Sequence, residues 1–194
     1  LNSADRVYLA AIKNTAVWFQ KGFKGQKPNP KKAYELYIKG VNHHEDPECI
    51  AKATKIAFTN DELVQEKREE ALNLATKAVE LGNVYGMLIL GEQLVTDPEA
   101  TQDEYNEARK WFELAAQKGS AFAHFRLGVM WYTGKMEEGQ DLYKVHEHFR
   151  AGMEKGDQNC KTCFGLLLMH HSAMHETQQK KGLQIILESA QQGS

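Results

Sequence analysis

Two cysteines in the last quarter of the chain have a spacing that is found in redox and metal sites. Cys160 and Cys163 are separated by two residues and follow Asp157, at the start of a predicted helix. The positive end of a helix can lower the pKa of a thiol and so favour the reactive thiolate. The pair is therefore a candidate for a thiol-dependent activity.

A second candidate for chemistry is a group of histidines a few residues further along the chain. It consists of His170, His171 and His175, followed by Glu176. Two imidazoles at positions i and i+4 of a helix suit a divalent metal. Cys163, His146 or His148 would complete a zinc or nickel site. The alternative is a solvated turn between two helices, and no HExxH, Walker loop or nucleophile-elbow motif supports an enzyme.

The composition is that of an ordinary folded protein. The chain has 194 residues, of which 42% are hydrophobic and 26% are charged. Its 24 basic and 26 acidic residues nearly cancel, which argues against a dedicated binder of nucleic acids or anionic membranes. Three cysteines are too few for a disulfide scaffold, and no apolar run is long enough to span a bilayer. We therefore expect neither a nucleic-acid partner nor membrane insertion.

The elements that would hold the candidate residues follow from an internal repeat. Glycines that close helical stretches recur every 37 residues, at Gly82, Gly119, Gly156 and Gly193. The same step relates Gly91, Gly128 and Gly165, and it relates the small residues Cys49, Gly86, Ala123 and Cys160. A step of 38 residues extends the pattern back to Ala11 and Ala16. Five units thus fill the chain, at approximately 4–44, 45–82, 83–119, 120–156 and 157–193.

Each unit has the sequence pattern of two helices and a turn. In the unit 120–156, Ser120 can cap a first helix, and Asp141 can cap a second helix that ends at Gly156. Both helices are amphipathic, and no alternating strand pattern competes with them. The recurrent small residues predict close approach of neighbouring helix backbones. Cys160 belongs to such a column, so packing explains it without chemistry.

These columns resemble Sel-one-like repeats, which are relatives of the tetratricopeptide repeat. The resemblance covers all five units and is strongest from Ala108 to Gly134 and over residues 149–170. The residues that match the family pattern are Ala108, Trp111, Phe112, Ala115, Ala116, Gly119, Ala123, Leu127, Gly128, Tyr132, Gly134 and Asp141. In the terminal units, His44 replaces the closing glycine and Gly182 replaces an alanine.

The resemblance implies an all-α fold, namely an α-solenoid of about five helix-turn-helix repeats of 37 to 38 residues in a right-handed superhelix. It implies one repeat domain over residues 1–194. Proteins of this family are scaffolds and adaptors that hold a partner protein or peptide on a concave face. We therefore expect a non-enzymatic protein without a cofactor or a metal, such as a bacterial envelope or virulence adaptor or a toxin-immunity protein.

The cellular location follows less directly. The family habit of export favours a bacterial envelope, periplasmic or secreted setting, whereas three unpaired thiols suit the cytoplasm.

A candidate partner-binding surface lies on the first helices. Positions that face away from the small-residue stripe vary from unit to unit and include aromatic and arginine side chains, as interface centres do. The predicted partner-binding residues are Tyr85, Ile89, Glu92, Phe122, Arg126, Val129, Asn159 and His170. If these residues form a free surface, Arg126→Glu should weaken binding with little loss of stability. The alternative is that Tyr85, Phe122, Val129 and Leu166 pack between adjacent repeats.

Two further alternatives remain open. The first is a thiol- or metal-dependent enzyme that uses Cys160 and Cys163 with the histidine group. The second is that the chain is part of a longer repeat protein, whose last helix directs Leu183, Ile186 and Leu187 towards further repeats or a second copy. On its own, the chain is expected to be a monomer or to self-associate weakly through this helix.

Overall fold

A computed structural model describes residues 2–60, 63, 66–135, 137–170 and 176–192. Over these residues the protein contains ten α-helices and no β-strand. The helices are α1 Ser3–Lys21, α2 Pro30–His44, α3 Pro47–Phe58, α4 Arg68–Glu80, α5 Val84–Val95, α6 Gln102–Gln117, α7 Ala121–Thr133, α8 Leu142–Glu154, α9 Gln158–His170 and α10 Glu176–Gln192. The all-α prediction is confirmed.

Side-chain caps determine where several helices begin. The Ser120 hydroxyl accepts the backbone N–H of Ala123 at 3.1 Å, at the start of α7. The Asp141 carboxylate accepts the N–H groups of Tyr143 and Lys144, at the start of α8. Each cap satisfies amide groups that have no partner inside the helix. The starts of α7 and α8 could therefore be predicted from Ser120 and Asp141 alone.

The closing glycines end helices through a left-handed backbone conformation. Gly82, Gly119 and Gly156 have φ values of 70°, 92° and 89°. This conformation costs glycine little because it has no Cβ. In the first unit the prediction was wrong by one residue, since His44 is still helical and Glu45 takes the left-handed position with φ 45°.

The chain divides into two compact units, Leu1–Leu90 and Gly91–Ser194. In the first unit α1 packs on α2, α2 on α3 and α3 on α4. Tyr34 and Tyr37 of α2 are almost fully buried in its core. A Cβ added to Gly40 of α2 would lie 2.5 Å from the sulfur of Cys49 on α3, so these two helices approach closely because one of them has glycine at the contact.

In the second unit α6 packs on α7, α7 on α8, α8 on α9 and α9 on α10. Three glycines make equivalent contacts, each with a side chain 21 residues later in the sequence. A Cβ on Gly91 would lie 2.8 Å from the Phe112 ring, and one on Gly128 would overlap the Phe149 ring. The third pair is Gly165 and Ile186, at 2.7 Å. The predicted close packing at this column is confirmed, and Ile186, which was expected on the exposed face of the last helix, is half-buried in this contact.

Among the described residues, none of the helices combines the length and the apolar character that crossing a bilayer requires.

Candidate partner-binding site

An apolar cleft of about 460 Å³ opens among α7, α8 and α9 of the second unit. The side chains that line it are Val129, Tyr132, Leu142, Phe149, Cys163, Leu166 and Leu167. Three of them are large and apolar yet well exposed: Tyr132 at 54%, Leu142 at 40% and Leu166 at 42%. The cleft therefore leaves apolar surface in contact with water, and we call it the α7–α9 cleft.

Local sequence features build this cleft. Phe149 is 4% exposed and packs against Gly128, so its ring is buried beneath the cleft. Gly134 ends α7 with φ 66°, and the Gln140 side chain donates to the Tyr132 carbonyl at 2.8 Å. The Asp141 cap then starts α8, which brings Leu142 to the edge of the cleft. The geometry of the turn thus depends on short-range contacts between α7 and α8.

Arg126 and Glu92 come together in the structure, but as an ion pair rather than as a free charged surface. Their side chains are in contact and are only 25% and 29% exposed. The Arg126 guanidinium also lies 5.9 Å from the centroid of the Phe112 ring. Burial raises the pKa of Glu92, and Arg126 opposes that rise. Contrary to the sequence-based expectation, Arg126→Glu would place two carboxylates side by side and destabilise the second unit.

Two predicted contact residues lie in the first unit, and one of them is not accessible. Ile89 is 6% exposed and belongs to the core, which corrects its placement on a free surface. Tyr85 is half-buried, with Lys55 5.5 Å from its ring centroid and the Phe58 ring at 5.9 Å. Both side chains therefore pack against neighbouring residues, as the alternative to a free binding surface expected.

The other predicted contact residues lie in the second unit. Val129 lines the α7–α9 cleft. Phe122 is half-buried beside Phe125, with ring centroids 6.2 Å apart. Asn159 is exposed in the first turn of α9. His170 is the last residue of α9, and its side chain lies outside the described part of the chain.

The environment of the cysteine pair disfavours the thiolate form, whereas a thiol-dependent activity would need an environment that favours it. Cys160 is completely buried, with its sulfur against Gly152. Burial, together with the Asp157 carboxylate, raises the pKa of Cys160 and also that of Cys163. Asp157 is the cap that accepts the Cys160 N–H at 2.7 Å, so the residue that starts the helix also disfavours the thiolate. The raised pKa values do not fit the thiol-dependent alternative, whereas the burial of Cys160 against Gly152 fits the packing interpretation.

The histidines do not form a described metal site. His171 and His175 lie outside the described residues. The His146 ring packs on Phe164 with centroids 4.8 Å apart, and His148 faces His124 with their Nδ1 atoms 3.3 Å apart. Within the part of the chain that the structure describes, no three His, Cys, Asp or Glu side chains are grouped closely enough to hold a metal ion.

A family model identifies the repeats. The Sel1 repeat model matches residues 9–43, 62–83, 97–120 and 121–157, which together make up more than half of the chain. The chain belongs to the Sel1 repeat family. Sel1 repeats typically mediate protein–protein interaction, and the family is generally non-enzymatic.

Solved structures with the same fold support this assignment. A Sel1 repeat protein from Oxalobacter formigenes has a TM-score of 0.73 at 20% identity, over 96% of this chain and 74% of that protein. A protective antigen of uropathogenic Escherichia coli with an SLR fold has a TM-score of 0.74 at 16% identity, over 98% and 40% of the two chains. An immunity protein from Pseudomonas aeruginosa has a TM-score of 0.58 at 18% identity, over 96% and 70%. The α-solenoid fold class predicted for this Sel1 repeat protein is confirmed.

Sequence reasoning missed most of the residues that line the α7–α9 cleft. Tyr132 was attributed to the family pattern, and Leu142 was passed over as the first residue of a second helix. Leu166 was placed on the variable face of the first helices, with packing between adjacent repeats as the alternative, but it was not among the predicted partner-binding residues. The sequence did contain a signal for an apolar surface. Tyr132 and Leu166 are large apolar residues outside the small-residue column, and the structure shows both to be exposed.

Proposed function

We propose that this Sel1 repeat protein is a non-enzymatic scaffold that binds a partner protein or peptide at the α7–α9 cleft. The observation that carries the proposal is the exposure of Tyr132, Leu142 and Leu166 around an apolar cleft. Exposed apolar side chains grouped around a concavity mark interaction sites, because water contact with them is unfavourable. The volume of about 460 Å³ is within the range of about 300–1,000 Å³ that is usual for ligand pockets.

The lining of the cleft defines the chemistry of the group that would enter it. Leucine, valine and phenylalanine side chains offer dispersion contacts but no charge, and Tyr132 adds a hydroxyl at the edge. Burial keeps the Cys163 thiol neutral by raising its pKa. We infer that the partner inserts a bulky aliphatic or aromatic side chain, as interface anchors do.

The biological setting is proposed from the similar structures. One of them is an immunity protein of Pseudomonas aeruginosa, and another is a protective antigen of uropathogenic Escherichia coli. The likeness to the immunity protein supports a bacterial toxin, which the scaffold would neutralise, as the partner of the present chain.

Affinity capture from a lysate of the source organism tests the proposal. The cleft variant Tyr132→Ala/Leu166→Glu removes an aromatic wall and places a carboxylate in the cleft. The matched control Tyr143→Ala/Leu114→Glu changes the same residue types at side chains that are 80% and 41% exposed elsewhere in the second unit. We expect one protein to be captured in stoichiometric amount by the wild type and the control and to be lost by the cleft variant.

Stability measurements accompany the capture. The changed side chains are exposed, so the free energy of unfolding should stay within about 0.5 kcal/mol of the wild-type value for both variants. Retention of the partner by a folded cleft variant would overturn the proposal.

The thiol-dependent alternative has its own discriminating variant. Cys160→Ala breaks the thiol pair at a residue that does not line the α7–α9 cleft and leaves Cys163, which does, unchanged. A scaffold retains its partner in this variant. A chemical activity that disappears with the Cys160 thiol would instead favour an enzyme.

A further inference from the structure

The turn between α1 and α2 carries an exposed pair of aromatic rings. Trp18 is 50% exposed and Phe23 is 44% exposed. Their rings are stacked, with centroids 4.8 Å apart and planes inclined by 15°. The ammonium group of Lys24 lies 5.3 Å from the centroid of the Phe23 ring. Two large aromatic side chains thus form a solvent-facing patch beside a cation.

The backbone holds this patch in place. Gly22 has φ 81°, and a Cβ there would lie 2.6 Å from the Gln26 carbonyl oxygen, so the turn requires glycine. The Gln26 N–H donates to the Phe23 carbonyl at 3.0 Å, and the Asn29 N–H donates to the Phe19 carbonyl at 2.6 Å. Since these bonds fix the turn, Phe23 stays stacked on Trp18 without help from a partner.

The charge around the patch is strongly asymmetric, although the whole chain is nearly neutral. Between Asp5 and Glu35 the sequence contains seven basic residues and no acidic one. Lys21, Lys24 and Lys27 have no acidic partner among the described residues. The aromatic pair therefore has the Lys24 ammonium beside it and two further lysines close in sequence, none of them in a described ion pair. We call Trp18 together with residues 21–27 the aromatic turn.

We propose that the aromatic turn is a peripheral docking surface for an anionic lipid bilayer. Tryptophan and other amphipathic rings partition to the depth of lipid headgroups, and lysines keep their charge at the level of the phosphates. A cluster of lysines next to apolar side chains is the pattern that anionic membrane surfaces attract. The near-neutral total charge, which argued against such a partner, conceals this cluster because acidic residues are concentrated elsewhere in the chain.

A lipid surface fits the patch better than an acidic protein does. Trp18 in the last turn of α1 and Phe23 in the following turn are both exposed, and Lys24 lies beside the Phe23 ring, so apolar and cationic groups are presented together. An acidic peptide would be recognised by the lysines alone and would leave the stacked rings exposed. The two partners therefore differ in their dependence on Trp18 and Phe23, and an experiment can separate them.

Co-sedimentation of the purified chain with lipid vesicles tests the proposal. The probes are vesicles of phosphatidylcholine mixed with phosphatidylglycerol, vesicles of phosphatidylcholine alone, and soluble polyglutamate. We expect binding to the anionic vesicles only, and we expect added salt to weaken it. Lys21→Glu/Lys24→Glu/Lys27→Glu should weaken vesicle binding about tenfold or more.

Matched variants distinguish a specific surface from general charge. Lys110→Glu/Lys118→Glu/Lys155→Glu makes the same charge change at exposed lysines of the second unit and should bind vesicles as the wild type does. Trp18→Ala/Phe23→Ala should also weaken vesicle binding, whereas Tyr143→Ala should not.

Three results would overturn the proposal. The first is no binding to the anionic vesicles, and the second is an equal loss of binding in both lysine variants. The third is tight binding to polyglutamate that is indifferent to Trp18→Ala/Phe23→Ala, which would assign the turn to an acidic protein instead. Circular dichroism of each variant confirms that the helices are intact before binding is compared.

Discussion

At the scale of single residues, the contact between Gly128 and Phe149 links the repeat pattern to the cleft. The absence of a side chain on α7 lets the Phe149 ring lie against the helix backbone, and the same ring lines the cleft. Protein interiors are close-packed, so an added methyl group at this contact must displace the ring. One glycine therefore supports both the packing of two helices and the shape of the candidate site.

We predict that Gly128→Ala lowers the free energy of unfolding by about 1–3 kcal/mol through overpacking. Alanine is the better helix former by about 0.5–1 kcal/mol, so any net loss must come from the contact. Urea denaturation followed by tryptophan fluorescence measures the change, and Gly128→Leu should cost more. Adding Phe149→Leu should recover part of the loss. A more stable Gly128→Ala protein would contradict the packing account.

Glu92 and Arg126 make a second residue-scale prediction. Removing either partner leaves the other charge half-buried, so Arg126→Ala should lower the free energy of unfolding by about 1–3 kcal/mol. In a double-mutant cycle with Glu92→Ala, the coupling energy should be about 0.5–3 kcal/mol.

Arg150 provides the control for this cycle. It pairs with Glu154, but the two side chains are 62% and 57% exposed, and solvent screens such pairs. Arg150→Ala should therefore change the stability by less than about 0.5 kcal/mol. Additive effects of Arg126→Ala and Glu92→Ala would show that the buried pair contributes nothing.

At the scale of elements, α7 and α8 are joined by a histidine pair. The Nδ1 atoms of His124 on α7 and His148 on α8 are 3.3 Å apart, which allows a hydrogen bond only if one ring nitrogen is unprotonated. Burial lowers the pKa of both histidines below the ordinary value of 6.5. The Lys155 charge lowers the pKa of His124 further, and the His124 ring lowers that of His148 further. The contact between α7 and α8 therefore favours the neutral form of both imidazoles.

The charged groups around the pair act in both directions. Glu147 on α8 raises both pKa values, and Glu113 on α6 raises that of His148. Lys155, directly after α8, lowers the pKa of His124, and Arg109 on α6 lowers that of His148. The net shift is downward, so the unfolded chain binds protons that the folded chain does not. Stability is then complete above about pH 6.5 and is lost as the pH falls through 6.5 towards the lowered pKa values.

We predict a lower melting temperature at mildly acidic pH than at neutral pH. His124→Gln/His148→Gln should reduce this pH dependence, because glutamine does not titrate. His43→Gln, at an exposed histidine of α2, serves as the control and should leave it unchanged. A double variant with the full wild-type pH dependence would show that other groups cause the effect.

At the scale of the whole molecule, α10 leaves two leucines exposed on one face. Leu183 and Leu187 are 47% and 55% exposed and lie one helical turn apart. Ile186, between them in sequence, packs against Gly165 instead. Exposed leucines at the surface of a repeat array favour contact with another apolar surface.

We predict weak self-association through α10, visible as a sedimentation coefficient that rises with protein concentration. Leu183→Lys/Leu187→Lys should remove the rise. Leu81→Lys/Leu114→Lys makes the same change at leucines outside α10 that are 52% and 41% exposed, and it should leave the rise in place. Association that persists in the α10 variant would assign it to another surface.

The sequence by itself determined the helices and their repeat, because these depend on short-range chemistry. Ser120 and Asp141 cap the helices that they were predicted to cap, since the hydrogen bonds involved reach only two or three residues. The period of 37 residues also predicted close packing at Gly128, because equivalent positions of a repeat have equivalent neighbours, and the structure shows that the Phe149 ring makes this contact.

Only the tertiary structure decided which variable residues are available and what charge they carry. Ile89 is buried, and Arg126 forms an ion pair with Glu92 from another helix. The spacing of Cys160 and Cys163 left a reactive thiol pair open as an alternative, and only the structure shows that burial and a neighbouring carboxylate raise the pKa of both thiols. Exposure and pKa depend on side chains brought together from distant parts of the sequence, and a pattern within one helix does not contain that information.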